Sequence, residues 1–383
     1  MSSRKRFIYM TALRMKKGEL EGLFYLREDV ADCIIPMLIV PPAKDRGSSS
    51  QDSLFAASKS VPDVGGALSK YWVHRPAFVD PRVLFKEYGA EGAVNWLPAL
   101  FKRARNLGVL ATPVANLVTL ETMGTAAFKA AISFIDELMF GLCIQSGDMT
   151  DPNLNVRIQT VLAGLGLKPS QCAVIADFTD ADLSEPSLVA PIIRGSLEQL
   201  QGLGRWQMIV FLGTHYPEKN PAKPGHTFIQ PRNEWLAWRE AVKFDPSTAQ
   251  QMVFGDFAAD SAKIDFKASR AQPIRHIRYT TASSWLVVRG ENEGSDHEVM
   301  KDVFERIVES GEFSGARFSN ADAYIYDVAC NNAPKAGNAT TWRQVNTTHH
   351  ITRVVVDIAE VRSVPISPLP DAPSGVQQSL LDA

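Results

Sequence analysis

Short apolar runs and helical patterns alternate through the first 260 residues of the chain. Eight apolar runs of strand length occur, at residues 7–13, 34–40, 77–80, 109–116, 140–145, 172–177, 206–213 and 252–257. Continuous apolar runs are typical of strands that are buried on both faces in parallel sheets. Eight strand-helix units in this length predict an α/β fold of the (β/α)8 barrel type. A doubly wound open parallel sheet is the alternative, because periodicity does not decide whether a sheet closes.

The pattern changes after the eighth run. Residues 274–279 and 284–290 predict two further strands, and residues 296–309 predict an amphipathic helix. A last helix is predicted at residues 351–361, where apolar residues recur at helical spacing. These elements predict a C-terminal α+β segment that packs on the barrel.

The predicted organisation has three parts. The barrel occupies residues 1–260, and the C-terminal α+β segment occupies residues 261–363. Residues 43–70, rich in Ser, Asp, Gly and Lys, predict a long mobile loop with at most one short helix. Residues 364–383 contain four prolines and scattered Ser and Gly, which predicts a disordered tail.

Composition and charge limit the partners and the cellular compartment that we expect for the protein. Forty basic and forty-two acidic residues give a formal net charge of −2, so the chain as a whole has no strong attraction for nucleic acid or for an anionic membrane. Its four cysteines are far apart, which favours a reducing compartment. No window approaches the roughly 20 apolar residues of a membrane span. We expect a cytoplasmic protein without membrane contact.

Polar residues end several predicted strands, where the active sites of such barrels lie. They are Asp80, Asn116, Gln145, Asp177, Thr214 with His215, and Asp256. Together they predict a rim that binds a divalent cation through oxygen ligands, or that pairs an acid with a base. The alternative is that Asp and Asn simply form turns and helix N-caps at these positions.

The densest acidic cluster runs from Asp177 to Asp182, directly after a predicted buried strand. Oxygen ligands without a neighbouring histidine or cysteine favour Mg²⁺ over zinc, so we predict a metal site at Asp177 and Asp256. His215 and His350 are the candidate acid/base groups beside it. Capping of the following helix is the other interpretation of this cluster.

Near the C-terminus, Trp342 and Arg343 follow a loop of small residues, and His349 and His350 come shortly after them. Adjacent side chains diverge by about 100° on a helix, so the two histidines are not expected to share a metal. Arg343 suits a phosphate or carboxylate, with Trp342 against its guanidinium plane. The alternative is a tether between Arg343 and a carboxylate. We expect the C-terminal segment to close over the barrel mouth, with Thr347 and Thr348 as helix caps.

One basic cluster is interleaved with aromatic residues. It contains Arg275, His276, Arg278 and Arg289 with Tyr279 and Trp285. Strand alternation places His276 and Arg278 on the same face, and arginines beside stacked aromatics suit nucleotides or single-stranded nucleic acid. Acidic residues follow directly, so an exposed strand face with salt bridges is the alternative interpretation.

Several of these local patterns together resemble the beta protein family, named for a T-even bacteriophage member. The segments that carry the resemblance are Tyr9 to Leu23 with Leu13-Arg14 and Lys17-Gly18-Glu19, Ile35-Pro36-Met37-Leu38, Phe254-Gly255-Asp256-Phe257, Ile277 to Val287, and Trp342-Arg343 with His349-His350-Ile351. The resemblance implies a setting of phages, mobile elements and defence-type gene neighbourhoods. It also implies a protein partner, for which a nuclease-like protein encoded nearby is the expectation.

The chain contains no Walker motif and no GxGxxG, HExxH or GxSxG motif, so the sequence does not point to one of the enzyme classes that carry them. Two classes of function are considered instead. The first is a phage or anti-phage component that binds a ligand or a partner through the barrel mouth. The second is a metal-dependent hydrolase of a phosphate ester or nucleotide, with Asp177, Asp256, His215 and His350 as the catalytic residues. A third hypothesis is that the protein is a non-catalytic scaffold. The predicted ligand-binding residues are Lys17, Glu19, Asp80, Arg278, Tyr279, Trp342, Arg343 and His349.

Overall fold

A computed structural model describes four stretches of the chain, residues 7–42, 62–263, 273–330 and 335–366. Most of the loop predicted at residues 43–70 and of the tail predicted at residues 364–383 lies outside them. The short helix expected within that loop is present at its end, at Val64–Leu68.

Eight parallel strands form a closed barrel, in the order β1-β2-β3-β4-β5-β6-β7-β9. They are β1 Tyr9–Leu13, β2 Met37–Ile39, β3 Pro76–Asp80, β4 Leu110–Asn116, β5 Phe140–Gln145, β6 Cys172–Asp177, β7 Met208–Leu212 and β9 Val253–Asp256. Each lies within one of the eight predicted apolar runs or overlaps it closely. The barrel prediction is confirmed, and β9 closes the sheet by pairing with both β7 and β1.

Side chains alternate between the inside and the outside of the barrel wall. Ala173 and Ile175 of β6 belong to the core inside the barrel. Val174 and Ala176 belong to the core between the barrel and its helices. This period of two decides which polar residues at the strand ends face the mouth.

Helices cover the outside of the barrel. They are α1 Lys17–Phe24, α2 Glu28–Ala31, α3 Val64–Leu68, α4 Arg82–Tyr88, α5 Ala93–Asn106, α6 Leu117–Met123, α7 Ala126–Ala131, α8 Leu154–Leu165, α9 Pro186–Leu203, α10 Asn233–Phe244 and α11 Thr248–Gln251. Among the helices in the described ranges, none is both long enough and apolar enough to cross a membrane.

The C-terminal segment contains a three-stranded antiparallel sheet in the order β10-β11-β8, with β10 at His276–Thr280 and β11 at Ser284–Arg289. The third strand, β8 at Thr227–Pro231, was not predicted. In the sequence, β8 lies between β7 and α10. The small sheet therefore includes residues from the predicted barrel range. The pattern did not reveal β8, because this edge strand is largely exposed and ends in proline.

Three helices complete this segment, α12 Asp296–Glu309, α13 Asn320–Ala329 and α14 Ala339–Arg362. The bounds of α12 are those predicted, and Ser295 caps it through the N–H of Glu298. α14 begins twelve residues before the predicted start at residue 351, capped by Asn338. The prediction that Thr347 and Thr348 are caps is therefore wrong. Both lie buried inside α14, and the Thr348 hydroxyl donates to the Gly22 carbonyl.

Two glycines let α1 pack closely against α14. A Cβ added at Gly18 would lie 2.4 Å from the Thr340 carbonyl oxygen and 2.9 Å from the Arg343 Cβ. A Cβ at Gly22 would lie 2.6 Å from the Thr347 Cβ. This close packing fixes the position of α14 beside the end of β1.

We predict that Gly18→Ala destabilises the protein by about 1–3 kcal/mol, because the new methyl group meets backbone that cannot move independently. The free energy of urea unfolding measures this change. Gly195→Ala in α9 is the control, since a Cβ there meets nothing within 4 Å. It should be neutral or stabilising by about 0.5–1 kcal/mol. Equal effects of the two substitutions would contradict the close packing of α1 on α14.

Candidate functional site

A cavity of about 240 Å³ lies where the ends of β1 and β9 meet β10 and α14. Its charged or titratable lining residues are Glu19, Asp260, His276, Arg278 and Arg343. We call this cavity the arginine pocket. Leu13 and Phe257 also line it, which places it at the carboxyl end of the barrel strands. Ligands bind at this end in barrels of this type.

Asp260 is the centre of the charge network in the arginine pocket. Its carboxylate lies 2.5 Å from Arg14 Nη1, 3.1 Å from Arg278 Nη1 and 3.9 Å from Arg343 Nη1. Burial by itself would raise the pKa of Asp260, but the three guanidinium groups outweigh it and hold this pKa well below its usual range. Asp260 is therefore ionised and draws the three arginines together.

Glu19 connects the turn after β1 to Arg343. One carboxylate oxygen accepts hydrogen bonds from the backbone N–H groups of Arg14, at 2.7 Å, and Lys16, at 3.3 Å. The other oxygen lies 3.4 Å from Arg343 Nη1. Arg343 thus makes the tether between α14 and a carboxylate that one interpretation of the sequence expected, while it also lines the pocket.

His276 orients Arg278. Its Nδ1 donates to the Ile274 carbonyl oxygen at 2.8 Å, so Nε2 accepts a hydrogen bond from Arg278 Nε at 3.1 Å. Burial, and next the charge of Arg278, lower the pKa of His276 to about 3. A neutral His276 is the acceptor that this contact requires. Arg278 Nη1 also donates to the Ala259 carbonyl oxygen, and the guanidinium lies over the Tyr216 ring.

Positive charge is concentrated at the arginine pocket. Arg278 and Arg343 line it with the carboxylates Glu19 and Asp260, and Arg14 and Lys16 lie close to these carboxylates without lining the cavity. Among the described residues, these four cations outnumber the two carboxylates between them. Burial, and next the charge of Arg343, lower the pKa of Lys16. An anion placed in the pocket would relieve this repulsion.

Unusual backbone conformations flank the same pocket. Met15 has a φ of 50°, and Ala258 and Ala259 have φ values of 50° and 58°. Residues with a side chain seldom adopt this left-handed region, and such strain concentrates at functional sites. Met15 follows β1 and the two alanines follow β9, so the strained segments deliver Arg14 and Asp260 to the pocket.

Asp256 and His350 lie in a different place, in the core outside the barrel wall. The Asp256 carboxylate accepts hydrogen bonds from Tyr9 Oη at 2.5 Å, from His350 Nε2 at 2.9 Å and from the Ala258 N–H at 3.0 Å. Thr280 Oγ1 lies 2.8 Å from His350 Nδ1. These four side chains are at most 1% exposed. The predicted catalytic residues Asp256 and His350 therefore have no surface from which to reach a substrate.

The other histidine is also buried in a network of its own. His349 Nδ1 lies 3.0 Å from the Asp322 carboxylate, and its Nε2 donates to the Thr280 carbonyl oxygen at 2.8 Å. The Tyr279 ring stacks on His349, and its hydroxyl donates to Asp322. Tyr279 and Trp285 are buried, so neither offers the exposed ring face that a stacked base needs. The predicted ligand residues Tyr279 and His349 belong to this core.

Asp177 and Asp256 lie on opposite sides of the barrel wall. Asp177 lies two residues after Ile175 and four after Ala173, so it shares their inward face of the strand. Asp256 lies two residues after Phe254 and shares its outward face. Asp177 accepts hydrogen bonds from the Thr179 hydroxyl and N–H, and burial raises its pKa. Within the described ranges, no three His, Cys, Asp or Glu side chains converge on a metal position. The predicted Mg²⁺ site at Asp177 and Asp256 is thus not assembled there.

The remaining predicted residues are dispersed. Asp80 pairs with Arg82 at 2.5 Å, and Lys17 faces Glu21 in its own helix at 3.8 Å. The backbone N–H of His215 donates to Glu234 Oε2. Trp342 lines the arginine pocket, but its Nε1 donates to the Ala336 carbonyl oxygen.

Four predicted ligand-binding residues line the arginine pocket, namely Glu19, Arg278, Trp342 and Arg343. His276, which strand alternation had placed on the face of Arg278, lines it as well, and so does Asp260. Arg14 and Lys16 lie close to the carboxylates of the pocket. Asp260 gave no signal, because it reaches the pocket only through the left-handed turn at Ala258 and Ala259.

A larger cavity, of about 1210 Å³, opens at the opposite end of the barrel. It is lined by residues at the starts of strands, such as Pro76, Leu110 and Met208. Two of the three arginines in its wall are engaged, since Arg75 pairs with Asp32 at 3.0 Å and Arg362 donates to the Met252 carbonyl oxygen. The amino-terminal end of such barrels serves stability rather than binding, so the arginine pocket is the better candidate.

The fold and the pocket define a (β/α)8-type barrel protein whose C-terminal helix brings an arginine to the carboxyl end of the strands. The family model described as Beta protein matches residues 9–356, nearly the whole chain. The protein therefore belongs to the Beta protein family. A comparison with curated proteins gives no match.

The buried pair of Asp256 and His350 predicts a pH dependence of stability. Burial lowers the pKa of His350, and hydrogen bonds hold that of Asp256 low although burial opposes ionisation. The stability that His350 contributes is present above its unfolded pKa of about 6.5 and is lost as the pH falls below it. The contribution of Asp256 is lost only near and below its unfolded pKa of about 3.9.

We expect His350→Gln to flatten the fall in unfolding free energy between pH 7.5 and 5, by up to about 1.4 kcal/mol per pH unit for one proton. Urea unfolding at several pH values measures this slope. His297→Gln, at an exposed position of α12, is the matched control and should leave the slope as in the wild type. If the slope for His350→Gln equals that of the wild type, the pKa of His350 does not differ between the folded and unfolded states.

Proposed function

We propose that this protein binds a phosphate-bearing ligand in the arginine pocket. The observation that carries the proposal is a cavity of about 240 Å³ with two arginines, Arg278 and Arg343, in its wall. Two further cations, Arg14 and Lys16, lie close to its carboxylates. A phosphate monoester, with a charge of about −1.5 to −2 at pH 7, complements this concentration of cations.

Hydrogen-bond donors support the same ligand chemistry. Arg278 Nε and Nη1 are engaged with His276, Asp260 and Ala259, whereas its Nη2 donates to no side chain or carbonyl in the described stretches. Arg343 contacts carboxylates through Nη1 alone. Planar guanidinium groups with unused N–H donors suit phosphate oxygens, which accept two parallel hydrogen bonds.

The arrangement favours binding over hydrolysis. Asp177 lies inside the barrel wall and Asp256 outside it, and Asp256 with His350 is buried. Among the described residues, no cluster of ligands supports the metal-dependent hydrolase as a second candidate. The family resemblance supports a setting for the binding activity, namely a cytoplasmic component of a phage or anti-phage system that senses a ligand and acts with a protein partner.

Inorganic phosphate should bind the wild-type protein and raise its melting temperature. Saturation at about 100 times the Kd adds roughly 2.7 kcal/mol of stability. We predict that Arg343→Gln weakens phosphate binding about tenfold to a hundredfold, since a charge-assisted hydrogen bond contributes about 1.5–3 kcal/mol. Isothermal titration calorimetry at fixed ionic strength measures both affinities.

Arg103→Gln is the matched control for this experiment. Arg103 is an exposed arginine that is also paired with a carboxylate, Asp63 at 3.1 Å, but it lies on α5 away from the pocket. It should bind phosphate as the wild type does. If the wild type binds no phosphate, or if both variants bind as it does, the pocket is not an anion site and the scaffold interpretation gains.

The proposed protein partner has its own test. The tagged full-length chain, expressed in its native host, should recover a partner protein, for which a nuclease-like protein is the expectation. Deletion of the gene should also change the outcome of phage infection. Recovery of no partner together with an unchanged infection outcome would contradict a role in defence without affecting the proposal of phosphate binding.

A further inference from the structure

A second cavity, of about 710 Å³, adjoins the arginine pocket. The two cavities share Pro273, Ile274, Ala339 and Trp342 in their walls. A molecule held by its anionic group in the arginine pocket can therefore extend past Ala339 and Trp342 into the second cavity. Both volumes are of the order of small-molecule sites, which hold about 300–1,000 Å³.

The second cavity does not offer a second anion site. Its two arginines are engaged with the protein itself, since Arg275 donates to the carbonyl oxygens of Gly294, Glu291 and Asn292. Arg289 donates to the Ala222 carbonyl oxygen and to Asn292 Oδ1. Both Nη atoms of each arginine are therefore already bonded within the protein, which disfavours a further phosphate group here.

Hydrogen-bond acceptors characterise the rest of its wall. The carboxylates of Glu291 and Asp296 line the cavity and both residues are exposed, with Asp296 3.5 Å from Arg275 Nη1. Carboxylate oxygens accept hydrogen bonds from hydroxyl and amino groups and repel anions. The second cavity thus complements an uncharged, hydroxylated group.

We infer that the ligand of the arginine pocket is a phosphate monoester whose organic part carries hydroxyl groups, such as a sugar phosphate. This inference rests on the proposed function, because the phosphate group must occupy the arginine pocket. The phosphate meets Arg278 and Arg343, and the hydroxyl groups meet Glu291 and Asp296. A nucleic-acid strand fits less well, because its successive phosphates would require free cations in the second cavity.

The experiment compares the affinities of ribose 5-phosphate, inorganic phosphate, gluconate and ribose for the full-length protein by titration calorimetry. Ribose 5-phosphate should bind about tenfold tighter than inorganic phosphate, because one or two added hydrogen bonds raise the affinity by about this factor. Gluconate, which has hydroxyl groups but a carboxylate head with a single charge, should bind more weakly than ribose 5-phosphate. Ribose alone should not bind measurably.

Two variants separate the contributions of the two cavities. Glu291→Ala should remove most of the advantage of ribose 5-phosphate and leave the affinity for inorganic phosphate unchanged. Arg343→Gln should weaken both phosphate ligands by a similar factor. Asp296→Asn repeats the test at the second carboxylate and guards against an effect particular to Glu291.

The outcomes distinguish the inference from the proposed function. Equal affinities for ribose 5-phosphate and inorganic phosphate would overturn the inference and leave phosphate binding intact. Tighter binding of gluconate would overturn the assignment of a phosphate head group. Absence of binding by both phosphates would overturn the proposed function and the inference together.

Discussion

The candidate site depends on the packing of α14 against α1. Gly18 and Gly22 allow the two helices to touch through backbone, and α14 then lies beside the ends of β1 and β9. From this position one helix supplies Arg343 to the arginine pocket, His350 to Asp256 and His349 to Asp322. The close approach of the two helices therefore positions all three contacts.

Two buried networks make the position of α14 definite. His349 and His350 diverge along the helix and each pairs with a carboxylate, and both meet Thr280 of β10, one at its carbonyl and the other at its hydroxyl. A buried polar group without a partner is costly, so each pairing excludes other positions of α14. The histidines that looked like site residues therefore support the site from within the core.

Charge in the arginine pocket is brought together by segments that are far apart along the chain. Asp260 comes from the turn after β9, Glu19 from α1, and Arg278 from β10. The strained conformations at Met15, Ala258 and Ala259 allow the turns after β1 and β9 to meet there. Such strain persists only where the surrounding structure compensates for it. The pocket thus lies at the barrel mouth where several cations surround two carboxylates.

The sequence alone determined the eight barrel strands, the helix α12 and the presence of a C-terminal segment, because hydrophobic periodicity is a local property of the chain. It also singled out Glu19, Arg278, Trp342 and Arg343. Only the tertiary structure decided that Asp177 and Asp256 face opposite sides of the wall, since a shift of one residue in a strand reverses its side chains. It also decided that Asp260 and Arg14 join the pocket and that β8 joins the small sheet. Those outcomes depend on contacts between distant segments, which no local pattern records.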